Sequence, residues 1–522
     1  MTRQQLKCLE DLVCWFQLGY ITGLCLDLCE MSYSFSHLCR GQQAITRDKR
    51  LPILTFIMKG YILAIVLTVI HVGVLANFRS KLRRASDPAK KVYRQYIINL
   101  GATVSHSEVM NHLQATRGLF MTDNDDNAGV DTSMVDGRGG CWIKRRGKFI
   151  DMIGFKAYIV SCITESDLNQ ILALPIVKSV QESVRFSLDT EEDLYTGAKS
   201  HHGGRVKRNE RRCTIINRPE CTCRRFGRKS ILTLRRCCII SCVSRNVNSW
   251  GLDRLDGNLN NQLLAKGLGT DVDVYIVDSG VRYTHEEFCG RVETGKNFVN
   301  IGSSADDDNG HGTHVAGTAA GQKTGVARNA NIIPVKVMNA QGSGTSAGIV
   351  SGLGWIVQQY RSRGRKAVIN MSIGCPCNAP DVNNAVKAAV DEGIVGVVSA
   401  GNDNVDACSN SPAKEPSALT VASSTDLDSR SHFSNYGTCV DIYAPGSNIY
   451  SASYTSDSAY ETKSGTSMAA PHVAGVVAKY LSTVSYNPSP AQVRIWLINN
   501  SLKNQITNNP YGPNDLLQAV KC

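Results

Sequence analysis

Read from its N-terminus, the chain places its longest apolar run at Gly60 to Ala76, GYILAIVLTVIHVGVLA, whose 17 residues sit at the short edge of a membrane-spanning helix. Met58-Lys59 supplies a start and a positive flank, and Val74-Leu75-Ala76 supplies a small-residue cleavage site. We therefore assign residues 58–76 to a signal peptide, with a type II signal anchor as the alternative. On this reading translation starts at Met58, and residues 1–57 are an extension of doubtful status. From Lys91 to Asp189 the pattern is that of a small α+β unit. VYRQYIINL alternates as a strand, HSEVMNHLQAT reads as a helix, FKAYIVSC as a strand, SDLNQILAL as a capped helix and VKSVQESVRFSL as a final strand pair. Asp123 to Gly147, rich in Gly and Asp, reads as a loop.

Residues 190–244 carry no periodicity that could bury a core and are predicted to be a basic, Cys-rich linker. This stretch also explains the charge. The formal net charge is +12, and Lys199 to Arg245 alone holds 14 Lys or Arg against Glu210 and Glu220. From Arg245 onward there are 21 basic and 23 acidic residues, so the rest of the chain is slightly acidic. Without stacking aromatics or a reading motif, the basic stretch predicts no nucleic-acid partner. Arg205-Val206-Lys207-Arg208 within it has the form of a furin-type processing site. The 19 cysteines favour an oxidising compartment, and none of their spacings suggests zinc.

Beyond Trp250 the pattern becomes α/β. Apolar, β-branched runs such as DVYIVD, IIPVKVM, AVINMSI and GIVGVVSA alternate with helical segments, which predicts a mostly parallel sheet covered by helices on both faces over 245–522. Functional groups in such sheets gather at the carboxyl ends of strands, and three motifs fall there. VYIVDSGV ends a buried strand on Asp278, DNGHGTHVAG projects His311 from the first turn of a helix, and SGTSMAAPHVAG starts a helix with Ser467. Peptide hydrolysis needs these three types. Serine is a weak nucleophile at neutral pH, an imidazole nearby can take its proton, and a carboxylate can hold the imidazole in the useful tautomer. His314 reads as structural.

The order Asp, His, Ser, with its spacing, resembles that of the subtilases, and within them the proteinase K-like branch, across 245–522 and the preceding α+β unit. The phrase ALPIVKSVQES resembles the end of the family's inhibitory propeptide. The resemblance implies the subtilase fold preceded by a small α+β propeptide domain at 91–189. It makes Asp278, His311 and Ser467 catalytic, with Asn402 of VSAGN as oxyanion donor beside the Ser467 backbone N–H. It implies that an extended substrate pairs with Gly342-Ser343-Gly344 on one side and Ser372-Ile373-Gly374 on the other, with Ser399-Ala400-Gly401 walling the pocket before the cut. No acid stands at these positions, so broad cleavage after apolar or aromatic residues is expected. Cys375-Pro376-Cys377 after Gly374 departs from the family pattern.

By the same resemblance, calcium would be bound by the Asp441 carboxylate and the carbonyls of Pro416 and Ala418, and Cys408 would pair with Cys439. For Cys289, Cys375, Cys377 and Cys522, three pairings stay open. The expected product is a secreted, self-processing zymogen that acts on protein and peptide substrates as a monomer, with its own propeptide as inhibitor. The alternative is a self-cleaved binding or regulatory protein with little activity on other proteins.

Overall fold

The computed structural model describes residues 80–116, 145–146, 149–188 and 242–522, all within one compact unit, Ala76–Cys522. The signal-peptide assignment at 58–76, the extension at 1–57, the tetrapeptide Arg205 to Arg208 and most of the 123–147 loop lie outside the described residues. Among those described, no helix is long and apolar enough to cross a membrane.

Among the described residues the first domain is a small, mainly antiparallel sheet with two α-helices. Lys91–Leu100 pairs with Phe155–Ser161 on one side and with Val177–Leu188 on the other. Both helices begin with a capping box, Ser105 with Glu108 before His106–Ala115 and Thr164 with Asp167 before Glu165–Leu172. Each box satisfies backbone N–H groups that a helix start leaves without partners. Three sequence expectations change. Arg145–Arg146, placed in the loop, pairs with Phe155–Ser161. The domain begins before Lys91, because Leu82–Arg83 adds a parallel strand. And Val177–Leu188 is one strand of 12 residues, not a pair. Its two halves differ in partner: the first completes the small sheet, and the last residues leave it for the second domain.

The second domain is built on a nine-stranded sheet. Its spatial order is Lys296–Asn297, Asn331–Lys336, Val272–Asp278, Lys366–Met371, Val395–Ser399, Leu419–Ser424, Ile442–Pro445, Asp515–Leu516 and Leu502–Lys503, all parallel except the last pairing. The interior strand Val272–Asp278 is buried throughout. Side chains alternate across a strand. Val274 and Ile276 accordingly join a core with the helices His311–Ala320 and Thr466–Thr483. Tyr275 and Val277 join another with Ser346–Arg363 and Pro380–Asp391. Burial on both faces is why these strands read as unbroken apolar runs.

The linker boundary also moves. Cys242–Asn246 pairs antiparallel with Gln262–Lys266, so residues 242–244 belong to the second domain. Cys242 is disulfide-bonded to Cys522, which removes Cys522 from the four-residue set considered from sequence; Cys375 joins Cys377 and Cys408 joins Cys439.

Candidate active site

The sheet brings Asp278, His311 and the start of the Thr466–Thr483 helix to one edge. Asp278 ends its strand and is wholly buried; His311 is 2% exposed as the first residue of its helix. The His311 Nδ1 and Asp278 Oδ1 lie 2.7 Å apart, and Asp278 Oδ1 also accepts the Ser279 N–H at 2.7 Å. The approach requires a glycine at 312, since a side chain there would meet the Gly280 carbonyl at 2.1 Å and the Asp278 side chain at 3.2 Å. Asp307 braces the loop before His311: its carboxylate accepts from the Ser279 hydroxyl, the Gly310 N–H and the Thr313 N–H.

Ser467 is fully buried, and its hydroxyl donates to the Ser372 carbonyl at 3.0 Å. It is therefore not bonded to His311 in this arrangement. His311 Nε2 is buried and has no hydrogen-bond partner, which leaves it available to accept a proton. Catalytic hydrogen bonds of this kind are often incomplete until substrate is bound. The helix itself is adapted at this point. Pro471, four residues on, has no N–H to offer the Ser467 carbonyl, and the Ser372 hydroxyl donates to that carbonyl at 2.9 Å instead.

Asn402 is held by its carbonyl end. Its Oδ1 accepts from the Thr466 N–H at 3.0 Å and from the Thr466 hydroxyl at 2.9 Å, while its Nδ2 is buried with no partner. A donor fixed at one end and unpartnered at the other is what a developing oxyanion needs, because nothing must reorganise when the charge forms. Ser399 ends a buried strand, Ala400 is fully buried, and the Gly401 N–H donates to the Thr466 hydroxyl at 3.1 Å, so this wall carries no charge.

The expected substrate segments flank a strand that is already present. Ser343–Thr345 pairs antiparallel with Arg185 to Ser187, and Ile373–Gly374 pairs with Ser187 and Leu188. The Leu188 N–H donates to the Gly342 carbonyl at 3.2 Å. Gly342 has a φ of +70°, and a side chain there would press on Leu188 at 2.9 Å. The end of the first domain thus lies between the two segments expected to receive a peptide. Along it, Phe186 is buried and Leu188 half-buried, while Arg185 and Ser187 face outward.

Sequence reasoning did not single out Thr466, the bridging hydroxyl of Ser372, or Lys336. The buried Lys336 ammonium donates to the Ser279 carbonyl and, at 2.6 Å, to Asp308. It ties the segment after Asp278 to the segment before His311. His314, read as structural, donates or accepts at the Ile449 carbonyl at 2.9 Å, and burial pushes its pKa down to about 3.

The residues expected to bind calcium hold a side chain in this structure. Asp441, Pro416 and Ala418 do converge, but on the Arg494 guanidinium, which bonds the Asp441 carboxylate and both carbonyls. Burial raises the Asp441 carboxyl to about 6 against the pull of Arg494. With a guanidinium seated among them, these oxygens could take a calcium ion only if Arg494 moved away. Among the described residues no group of three or more His, Cys, Asp or Glu could hold a metal. Arg494→Met should destabilise the fold by about 2 kcal/mol, the scale of hydrogen bonds to a charged group, and added calcium should restore part of the loss. Thermal unfolding with chelator and with calcium checks this; a larger calcium effect on the parent than on the variant would show that Arg494 is not the occupant.

A family model described as "Subtilase family" matches residues 269–513. The alkaline serine exoprotease A of Vibrio alginolyticus is 43% identical over 286 residues, covering 54% of this chain and 52% of that protein. An extracellular serine proteinase of Thermus sp. (strain Rt41A) is 44% identical over 273 residues, covering 52% of this chain and 65% of that protein. The chain thus spans between half and two thirds of the length of these relatives. The crystal structure of a cold adapted subtilisin-like serine proteinase is matched over its whole length, 53% of this chain, at 43% identity and a TM-score of 0.50.

Proposed function

Because the chain belongs to the subtilase family, we propose that it is a secreted serine endopeptidase made as a self-processing zymogen. In this reading Ser467 attacks the peptide carbonyl and His311 Nε2 takes its proton, later giving it to the leaving amine. Asp278 holds His311 with its Nδ1 protonated and stabilises the imidazolium. Asn402 Nδ2 and the Ser467 N–H receive the oxyanion. Residues 58–76 direct secretion, the domain of 80–188 is the inhibitory propeptide, and the mature peptidase starts within or after the basic linker.

The observation that supports this reading best is the strand Val177–Leu188, whose end runs between Ser343–Thr345 and Ile373–Gly374. It occupies the cleft by backbone pairing, which suits broad substrate recognition. Its buried Phe186 and half-buried Leu188, together with the neutral wall Ser399-Ala400-Gly401, support a preference for apolar or aromatic residues. Calcium enters only as a structural ion that would have to displace Arg494.

Expression of the full chain tests the reading. Mass analysis should find cleavage beyond Leu188 and before Trp250, the product should hydrolyse unfolded protein, and an active-serine phosphonylating reagent should label Ser467. Cleavage of the chain itself without hydrolysis of added protein would favour a self-cleaved binding protein instead. Intact chain with no labelling would overturn both.

A further inference from the structure

Where the two domains meet, one carboxyl group has no charged partner in contact. Asp381, in the first turn of the helix Pro380–Asp391, is 2% exposed. It faces Asn99 of the strand Lys91–Leu100, 7% exposed, whose Nδ2 donates to Asp381 Oδ1 and, at 3.3 Å, to the Ser179 hydroxyl. The other two atoms of this pair, Asp381 Oδ2 and Asn99 Oδ1, are both buried without a hydrogen-bond partner. Both are acceptors when the carboxyl is ionised, and leaving buried acceptors unsatisfied is costly. One proton on Asp381 Oδ2 would satisfy both at once, closing a ring in which acid and amide each donate and each accept.

We propose that this acid–amide pair is a pH-sensitive latch between the first domain and the peptidase domain, closed under mildly acidic conditions and loosened at neutral pH. The proposal rests on the reading of 80–188 as an inhibitory propeptide and adds the control of its release. Burial pushes the Asp381 carboxyl up to about 7, opposed by the Asn99 bond and by Arg83. The surrounding charges are engaged elsewhere or set back. Lys387 pairs with Asp391 at 2.6 Å, Glu392 is bound by Arg361, Lys156 donates to the Val104 carbonyl, and Arg83 is exposed on the first strand. Arg83, Lys156, Lys178, Lys387 and Asp391 line a cleft of ≈ 300 Å³ beside Asn99, so water and buffer reach the edge of the pair.

The sign follows from linkage. When the strand Lys91–Leu100 withdraws, the carboxyl meets water and returns towards the ordinary value of about 4. Docking therefore takes up a proton between about pH 4 and about pH 7, and affinity falls by up to about tenfold per pH unit across that window. Below it docking is strongest, and above it the weakened state is constant.

Hydrogen exchange on the full chain carrying Ser467→Ala, which keeps the domains joined, provides the test. Protection of 91–100, corrected for the intrinsic pH dependence of exchange, should fall by roughly tenfold or more between about pH 5 and about pH 7.5. With Asp381→Asn added it should stay high and flat, because an amide offers Asn99 Oδ1 an N–H at every pH. A flat parent profile, or the same slope in Asp381→Asn, overturns the latch. Should that variant fold poorly, infrared spectroscopy with carboxyl-labelled aspartate supplies a second measurement on Ser467→Ala alone. A protonated-acid carbonyl band that disappears near neutrality supports the latch, and its absence under acidic conditions overturns it. Failure of the Ser467 chain to cut itself would sink the zymogen reading without touching either measurement.

Discussion

Ser467→Ala lowers kcat by about 10⁶, the size of effect that removing the serine of a subtilisin produces, and leaves the chain uncut. The geometry makes the loss specific to chemistry. Ser467 Oγ contributes one hydrogen bond to the fold, to the Ser372 carbonyl, and an alanine fits the fully buried site without strain. The Ser467 carbonyl keeps its bond from the Ser372 hydroxyl, and Asn402 keeps both bonds from Thr466. Folding should therefore survive while His311 Nε2 has no hydroxyl to deprotonate. Two measurements check the expectation: hydrolysis of unfolded protein, and the mass of the secreted chain. A variant that still cuts itself at the parental rate would show that another group performs maturation.

The sheet and the three motifs that hold Asp278, His311 and Ser467 were legible because each is local. Val272–Asp278 is buried on both faces, and that state writes itself into seven successive residues; Asp278, His311 and Ser467 each sit in a motif of small neighbours that lets two segments approach. Gly312 is an instance, since its missing side chain gives the Gly280 carbonyl and Asp278 their space. What escaped the sequence depends on pairs remote along the chain. Arg494 fills the cation position between Asp441, Pro416 and Ala418 from a helix more than fifty residues beyond Asp441, and nothing in EPSA signals its arrival. Cys522 pairs with Cys242 because Cys242–Asn246 and the chain end meet beside the Gln262–Lys266 strand. The Val177–Leu188 strand misread as a pair because a change of partner midway resembles a break. The orphaned atoms of Asn99 and Asp381 exist only once both domains are in place.

Asp278→Asn should lower kcat by about 10⁴ with little change in KM. His311 Nδ1 now faces a carboxylate oxygen at 2.7 Å and so carries its proton there, leaving Nε2 as the acceptor that Ser467 requires. The second carboxylate oxygen has no partner, whereas Oδ1 also accepts the Ser279 N–H. An asparagine would keep its oxygen on Ser279 or on His311, not both without competition. Where its NH2 turns to His311, Nδ1 must accept and the proton moves to Nε2, the tautomer that cannot act as base. The expected substrate strands Ser343–Thr345 and Ile373–Gly374 pair with residues 185–188 and not with this residue's strand, so binding should be spared, which distinguishes the effect from general disruption. Asp278 is also wholly buried, and removing a buried charge relieves a desolvation cost. Thermal unfolding should thus be unchanged or shifted upward while turnover collapses. A parallel loss of stability and KM would instead mark Asp278 as a structural cap of its strand.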